Sequence, residues 1–321
     1  MKTMIKIILL LLVVLAAAFL IFRTPDTDRA AMIAKYGNEA SRFVEDGQGA
    51  KIHYRDEGNK DGPALLLVHG SNSLLQTWEP VVALLGDEYR LISLDLYGHG
   101  LTGPNPTGAY DADTNVAAAV RVLDTVGVDK AYWVGNSMGG WLSWRAGLAV
   151  PERISGLVLI DASGAQVAEK IKPYLGARLA RSPIGQLLLP EITPRFLVKS
   201  SLEENFAQPE RLTEEQVDRY WELLRFPGNR RAAVDRGKTP RQPEKWGEIG
   251  TLEMPVLLLW GEQDSVIPVS HARAFEAAIP GSKLITYADA GHLPMEETPE
   301  QVARDIDAWI QSLNVASTVP E

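Results

Sequence analysis

The chain contains no cysteine. That absence removes disulfides, thiol nucleophiles and cysteine-based metal sites together. It leaves the compartment open, because a cysteine-free fold tolerates reducing and oxidising surroundings alike. Histidine is scarce as well: the five histidines, at positions 53, 69, 99, 271 and 292, include no pair at helical metal-ligand spacing. No site for a metal or an organic cofactor is visible, and none is expected. Positive charge is in the minority, with 32 lysines and arginines against 41 aspartates and glutamates, a net charge of −9, and no long basic run. A nucleic-acid surface is therefore not expected. Internal repeats are also missing. What is present is an ordinary globular composition, 45% hydrophobic and 23% charged over 321 residues. This length suits one large α/β domain with an insertion, or two modest domains.

One long apolar run does occur. Ile7 to Phe22 is unbroken by polar residues, preceded by Lys2 and Lys6 and followed by Arg23. A membrane-spanning helix needs about 20 apolar residues, with roughly 17 at the lower end. The run meets that length if Met4 and Ile5 are counted and Lys6 snorkels. The expectation is an uncleaved N-terminal anchor over residues 1–22, with the body on the extracytoplasmic, periplasmic side. The alternative is a signal peptide cleaved at Ala16-Ala17-Ala18, releasing a secreted protein. Cleavage there would leave Phe19-Leu20-Ile21-Phe22 as a strongly apolar new terminus, which argues for the anchor. Residues 23–41 then look like a polar linker.

Beyond it, Arg42 to Glu57 alternates apolar and polar residues around Asp46-Gly47-Gln48-Gly49, the pattern of a β-hairpin. Short apolar runs follow at Ala64 to Val68, Arg90 to Leu94, Ala131 to Val134, Gly156 to Ile160, Val256 to Trp260 and Lys283 to Tyr287. Runs of this kind suit strands covered on both faces. Helical patterns separate most of them, such as Thr114 to Val126 and Met138 to Val150. Strand and helix in alternation mean a parallel sheet with helices on both faces. About ninety residues between Asp161 and Val256 break the rhythm and read as helices, with a capping box at Thr213-Glu214-Glu215-Gln216. That segment carries 15 basic and 12 acidic residues between 165 and 250. The expected organisation is a core at 42–164 and 251–314, a helical insertion at 165–250, and a frayed tail at 315–321.

Gly135-Asn136-Ser137-Met138-Gly139 is a Gly-x-Ser-x-Gly nucleophile elbow, led in by an apolar strand and led out by a helix. The glycines allow a tight turn that holds the serine strained with Oγ exposed, and the helix aims free N–H groups at the reacting atoms. A serine hydroxyl needs a base, and the base needs an orienting acid. The expected chain order is serine, acid, histidine. His292, in the loop after the last apolar run, is the expected base. Asp264, just past Val256 to Trp260, is the favoured acid, with Glu262 and Asp161 as alternatives. The oxyanion hole is expected from the backbone N–H groups of Met138 and Ser71. His69 reads as a brace for that loop rather than as a second base.

Together, His69-Gly70-Ser71, the run Asp95 to Gly100, Gly-Asn-Ser-Met-Gly-Gly, the stretch Gly261 to Asp264 and Gly291-His292 resemble the α/β-hydrolase superfamily. The resemblance runs from about Phe43 to Leu313. It implies the α/β-hydrolase fold, a mostly parallel eight-stranded sheet with helices on both faces and a helical cap over the active site. It also implies that the Asp95 to Gly100 turn is structural, so His99 takes a structural role. Trp141 and Trp144 read as packing residues on the helix behind the nucleophile, and Tyr220, Trp221 and Phe226 of the cap are core or pocket lining, with core favoured.

The expected activity is hydrolysis of a small, apolar carboxylic ester through an acyl-enzyme on Ser137. A serine elbow disfavours the dehalogenases and epoxide hydrolases of this fold, which carry aspartate there. The runner-up is a carbon–carbon bond hydrolase of aromatic ring-cleavage products. That group usually has an aromatic residue after the histidine and a glycine-rich His-Gly loop, where this chain has Leu293 and Asn72-Ser73-Leu74. Lactonase and haloperoxidase-like activities, and a ligand-binding protein without turnover, are further readings. An anchor would bring the cap near lipid, so apolar substrates could enter from the membrane.

Overall fold

The structure is a computed structural model that describes residues 2–167, 182–238 and 245–318. Parts of the expected cap (168–181 and 239–244) and of the expected tail (319–321) lie outside the described residues. The eight strands are β1 (Ser41–Glu45), β2 (Lys51–Gly58), β3 (Ala64–Val68), β4 (Arg90–Leu94), β5 (Ala131–Asn136), β6 (Ile154–Ile160), β7 (Val256–Gly261) and β8 (Lys283–Tyr287). They form one sheet in the order β1-β2-β4-β3-β5-β6-β7-β8. Only β2 runs against its neighbours, pairing antiparallel with both β1 and β4. The hairpin and the six apolar runs of the sequence are all strands.

The helices are α1 (Lys2–Phe22), α2 (Arg29–Tyr36), α3 (Glu79–Leu85), α4 (Ala112–Thr125), α5 (Met138–Ala149), α6 (Pro183–Leu188), α7 (Arg195–Asn205), α8 (Glu214–Leu224), α9 (Asn229–Arg236), α10 (Ser270–Ala278), α11 (Pro294–Glu297) and α12 (Pro299–Thr318). Strand side chains alternate between the two faces. Leu66 and Val68 pack with Trp133, Leu142 of α5 and Phe275 of α10. Leu65 and Leu67 pack on the other face with Val81 of α3 and Ile306 of α12. Because both faces are covered, the strands are continuously apolar. Trp144 belongs to the first of these clusters and Trp141 packs against it.

A third cluster lies over the carboxyl ends of the strands. Val198, Leu202, Val217, Tyr220, Leu223 and Phe226 of the insertion gather there with Leu74 and Leu101 of the core, and Trp221 packs against them. The capping box forms, with Thr213 and Gln216 each bonding the other's backbone. The chain is back on the main core by Trp246, which meets Phe275 edge-on at 5.0 Å, a few residues before 250.

Two expectations need correction. Residues 23–41 are not a free linker. Asp28 caps α2, Met32 is buried in the cluster of the insertion, and Thr27 N–H donates to the Arg225 carbonyl at 2.9 Å. The pattern was missed because α2 is only eight residues long and buries a single residue, too little for a clear periodicity. The tail is not frayed from 315: α12 continues through Thr318, since no breaker intervenes before Pro320. Residues 2–22 do form one helix, although several of its side chains lie outside the described set. Among the described residues, no helix is long and apolar enough to cross a membrane.

Candidate active site

All five expected site residues lie past the carboxyl ends of β3, β5, β7 and β8, four in loops and Met138 as the first residue of α5. This is where an open parallel sheet leaves room for a ligand. Ser137 sits between β5 and α5 with φ 54° and ψ −114°, a conformation rare for a residue with a Cβ. The neighbouring glycines explain how the turn is possible. A Cβ on Gly135 would lie 2.3 Å from the Gly139 carbonyl oxygen, and one on Gly139 would lie 2.0 Å from the Val68 carbonyl oxygen. The elbow thus nests against the end of β3. Its backbone is pinned further: Ser137 N–H donates to the Ile160 carbonyl (2.9 Å), and its own carbonyl accepts from Ser163 N–H (3.0 Å).

His292 Nδ1 and Asp264 Oδ2 are 2.7 Å apart, with the two side chains 7% and 0% exposed. Asp264 Oδ1 accepts two further N–H bonds, from Val266 (2.7 Å) and Ile267 (2.9 Å). A carboxylate held in place by these backbone donors fixes the ring so that Nδ1 donates and Nε2 is left to accept. Of the other acid candidates, Glu262 stands apart from the pair, whereas Asp161 lies beside it, with a side-chain atom within 4.8 Å of both Asp264 and His292. Glu262 accepts from the Thr286 hydroxyl at the surface. Asp161 is fully buried, with Oδ1 accepting Gly261 N–H at 3.0 Å.

The Ser71 loop lies beside the elbow, where a Cβ on Gly70 would come within 3.1 Å of Ser137 Cβ. Two histidines brace it. His69 Nδ1 donates to the Gly70 carbonyl (2.7 Å) while Nε2 accepts Leu96 N–H (3.1 Å). His99 Nδ1 donates to the Tyr97 carbonyl (3.0 Å) while Nε2 accepts Asn72 N–H (3.1 Å). With both ring nitrogens so used, each imidazole is neutral. Burial holds His69 below the ordinary histidine range, and burial with the Arg236 charge holds His99 well below it. Asp95 is structural in the same sense, bonded to His53 Nδ1 (2.7 Å) and to the N–H groups of Leu75 and Leu101.

Three supporting residues escaped the sequence reading. Asn136 Nδ2 donates to the His292 carbonyl (3.0 Å), tying the elbow to the histidine loop. Glu297 accepts Gly291 N–H (2.8 Å) and Ala207 N–H (2.7 Å), and burial raises its carboxyl above the usual range. Glu296 accepts from Tyr220 (2.5 Å), Thr77 (2.6 Å) and Gln216 (2.8 Å), joining α8 to both active-site loops. Glu296 and Glu297 sit four and five residues after His292, a signal that was legible but had no assigned partner.

Comparison with known proteins fits this frame. The sequence matches the alpha/beta hydrolase family over residues 65–305, and the chain belongs to that family. It is 27% identical over 265 residues to a pimeloyl-[acyl-carrier protein] methyl ester esterase of Aliivibrio salmonicida, covering 81% of this chain and 96% of that protein. It is 28% identical over 281 residues to a 2-hydroxy-6-oxononadienedioate/2-hydroxy-6-oxononatrienedioate hydrolase of Burkholderia vietnamiensis, covering 84% and 93%. Among solved structures, a bacterial membrane phospholipase A superposes with a TM-score of 0.75 at 25% identity, covering 98% of this chain and 99% of that one.

Proposed function

We propose that the protein is a serine hydrolase of carboxylic esters, with Ser137 as nucleophile, His292 as base and Asp264 as orienting acid. The observation that carries this reading is the 2.7 Å Asp264–His292 contact at the same sheet edge as the strained Ser137. Ser137 Oγ attacks the ester carbonyl while His292 Nε2 takes its proton, and the imidazolium is stabilised by Asp264. The amides of Ser71 and Met138 stabilise the tetrahedral oxyanion. The protonated His292 then gives its proton to the leaving alcohol, and water repeats the sequence to release the acid. No metal or cofactor is required at any step.

The ester esterase and the phospholipase among its relatives support an ester as the scissile group. The carbon–carbon reading is retained because the Burkholderia hydrolase is as similar as the esterase. Leu293 and the Asn72-Ser73-Leu74 loop count against it. A membrane anchor at residues 1–22, with the body extracytoplasmic, belongs to the same proposal. It is supported by the apolar run Ile7 to Phe22 and by a likeness to the membrane phospholipase that extends over 98% of the chain. The test is a graded panel of p-nitrophenyl esters beside a ring-cleavage dienoate, with wild type and Ser137→Ala, and fractionation of cells expressing the full chain. Ester turnover lost in the variant supports the reading. Turnover of the dienoate alone moves it to the carbon–carbon class, and full-length protein in the soluble fraction removes the anchor.

A further inference from the structure

The proposed mechanism leaves one buried carboxyl without a task. Asp161 follows β6, is 0% exposed, and takes a φ of +43°. Its Oδ1 is satisfied by Gly261 N–H, but its Oδ2 has no donor among the described residues. It lies beside the working pair: Asp161, Asp264 and His292 each place a side-chain atom within 4.8 Å of the other two. The titratable groups facing Asp161 come from several elements. Asp264 is on the loop after β7, Tyr287 ends β8, His292 is on the loop after β8, and Glu297 ends α11.

Two ionised carboxylates cannot both be kept in such a setting. Asp264 already accepts from three N–H donors. Asp161 has one donor, and burial, followed by the charge of Asp264, pushes its carboxyl well above the usual range. As an ion, its Oδ2 is an orphaned buried acceptor, which is costly. As an acid, that same oxygen carries a proton that can reach Asp264, and both groups are satisfied.

We propose that Asp161 is a positioning residue: as a neutral carboxylic acid it donates a hydrogen bond to the Asp264 carboxylate and holds it in line with His292 Nδ1. The assignment rests on the serine-hydrolase reading above. The arrangement adds a fourth donor to Asp264 while keeping a single negative charge behind the imidazole. It also fits the backbone, since aspartate and asparagine tolerate positive φ better than other residues with a Cβ.

The test compares Asp161→Asn and Asp161→Ala with Asp264→Asn and Ser137→Ala in the otherwise intact protein. Asparagine copies the neutral acid, with its oxygen facing Gly261 N–H and its amide donating to Asp264. Asp161→Asn is expected to keep kcat/KM within about threefold of wild type and to keep its pH profile. Asp161→Ala is expected to lower kcat by roughly 10- to 100-fold with little change in KM, through misplacement of the pair. The infrared difference between wild type and Asp161→Asn at neutral pH should show a protonated carboxyl C=O stretch lost in the variant. An Asp161→Asn loss as deep as that of Asp264→Asn, or no difference band, would show that Asp161 works as an ion and overturn the proposal. Unchanged kcat and pH profile in Asp161→Ala would overturn it too. Full activity in Ser137→Ala would instead remove the serine reading, while the infrared band still decides the protonation of Asp161.

Discussion

The Arg230 guanidinium lies 2.6 Å from the Asp26 carboxylate, with the arginine side chain 5% exposed. It also donates to the Thr24 carbonyl at 2.7 Å. The segment that leaves α1 is therefore fastened to the insertion before it reaches the sheet. Arg23 with Glu191 (2.9 Å), and Lys35 and Tyr36 with Glu222 (2.7 Å each), extend the same seam. These contacts make the N-terminal stretch a strap across the cap.

A chain beginning at Arg23 keeps the strap and should match the full chain in hydrolysis of soluble short esters. A chain beginning at Gly37 loses it and should melt earlier. Arg230→Ala removes the guanidinium from the Thr24 carbonyl and from Asp26, which keeps the Gly228 N–H at 3.4 Å, at a cost of about 1–3 kcal/mol. Thermal unfolding of the three proteins against the parent checks this, and equal melting temperatures for the chains starting at 23 and 37 would dismiss the strap.

Gly139→Ala puts a methyl group 2.0 Å from the Val68 carbonyl oxygen, a backbone atom that cannot step aside. Overpacking of this kind costs about 1–3 kcal/mol or more, and here it also displaces the elbow. The variant should be both less stable and nearly inactive. Gly47→Ala, in the β1–β2 turn with open space around it, should leave activity intact despite some strain at its positive φ.

The two neutral histidines give a pH dependence with a definite sign. Both His69 and His99 titrate below the ordinary histidine value when folded, so the unfolded chain binds more protons as pH falls. Their contribution is complete above the unfolded value of about 6.5 and is lost as pH drops below it, by up to about 1.4 kcal/mol per pH unit for each histidine. Denaturant unfolding at pH 7.5 and 5.5 should show that loss. His99→Gln should flatten the slope, whatever it does to stability at pH 7.5.

Tyr220→Phe tests the junction between α8 and the active-site loops. It removes the hydrogen bond to Glu296 and the contact with the Ser73 hydroxyl at 3.2 Å. Glu296 keeps Thr77 and Gln216, so the cost should stay near 1–2 kcal/mol. Calorimetry would read it directly, and a change below about 0.3 kcal/mol would mean the junction is not a support.

Most of the sheet was legible because its inner strands are apolar on both faces, and the β1–β2 hairpin because it alternates apolar and polar residues around a Gly-rich turn. The proposed triad of Ser137, Asp264 and His292 was drawn from short motifs that follow apolar runs of the sheet. Asp161 was also visible there, but its protonation depends on what lies beside it, and spacing carries no such information. The strap was hidden for a different reason. Its contacts are mainly long-range ion pairs and backbone bonds, such as those of Asp26 and Thr24 with Arg230, more than two hundred residues away in sequence. His69 was set apart from His292 by chain order and His99 by the family resemblance of its turn, and the hydrogen bonds of both rings show them bracing the loop at Ser71 and Asn72.

The most direct test of the central claim is to find where the acyl group goes. The intact protein is mixed with a p-nitrophenyl ester, quenched early, and its mass and peptides are measured beside Ser137→Ala. One acyl adduct on the Ser137 peptide, absent from the variant, with kcat lowered by roughly 10⁴- to 10⁶-fold in that variant, is the expected result. An adduct on another residue, or turnover that survives in Ser137→Ala, would contradict it.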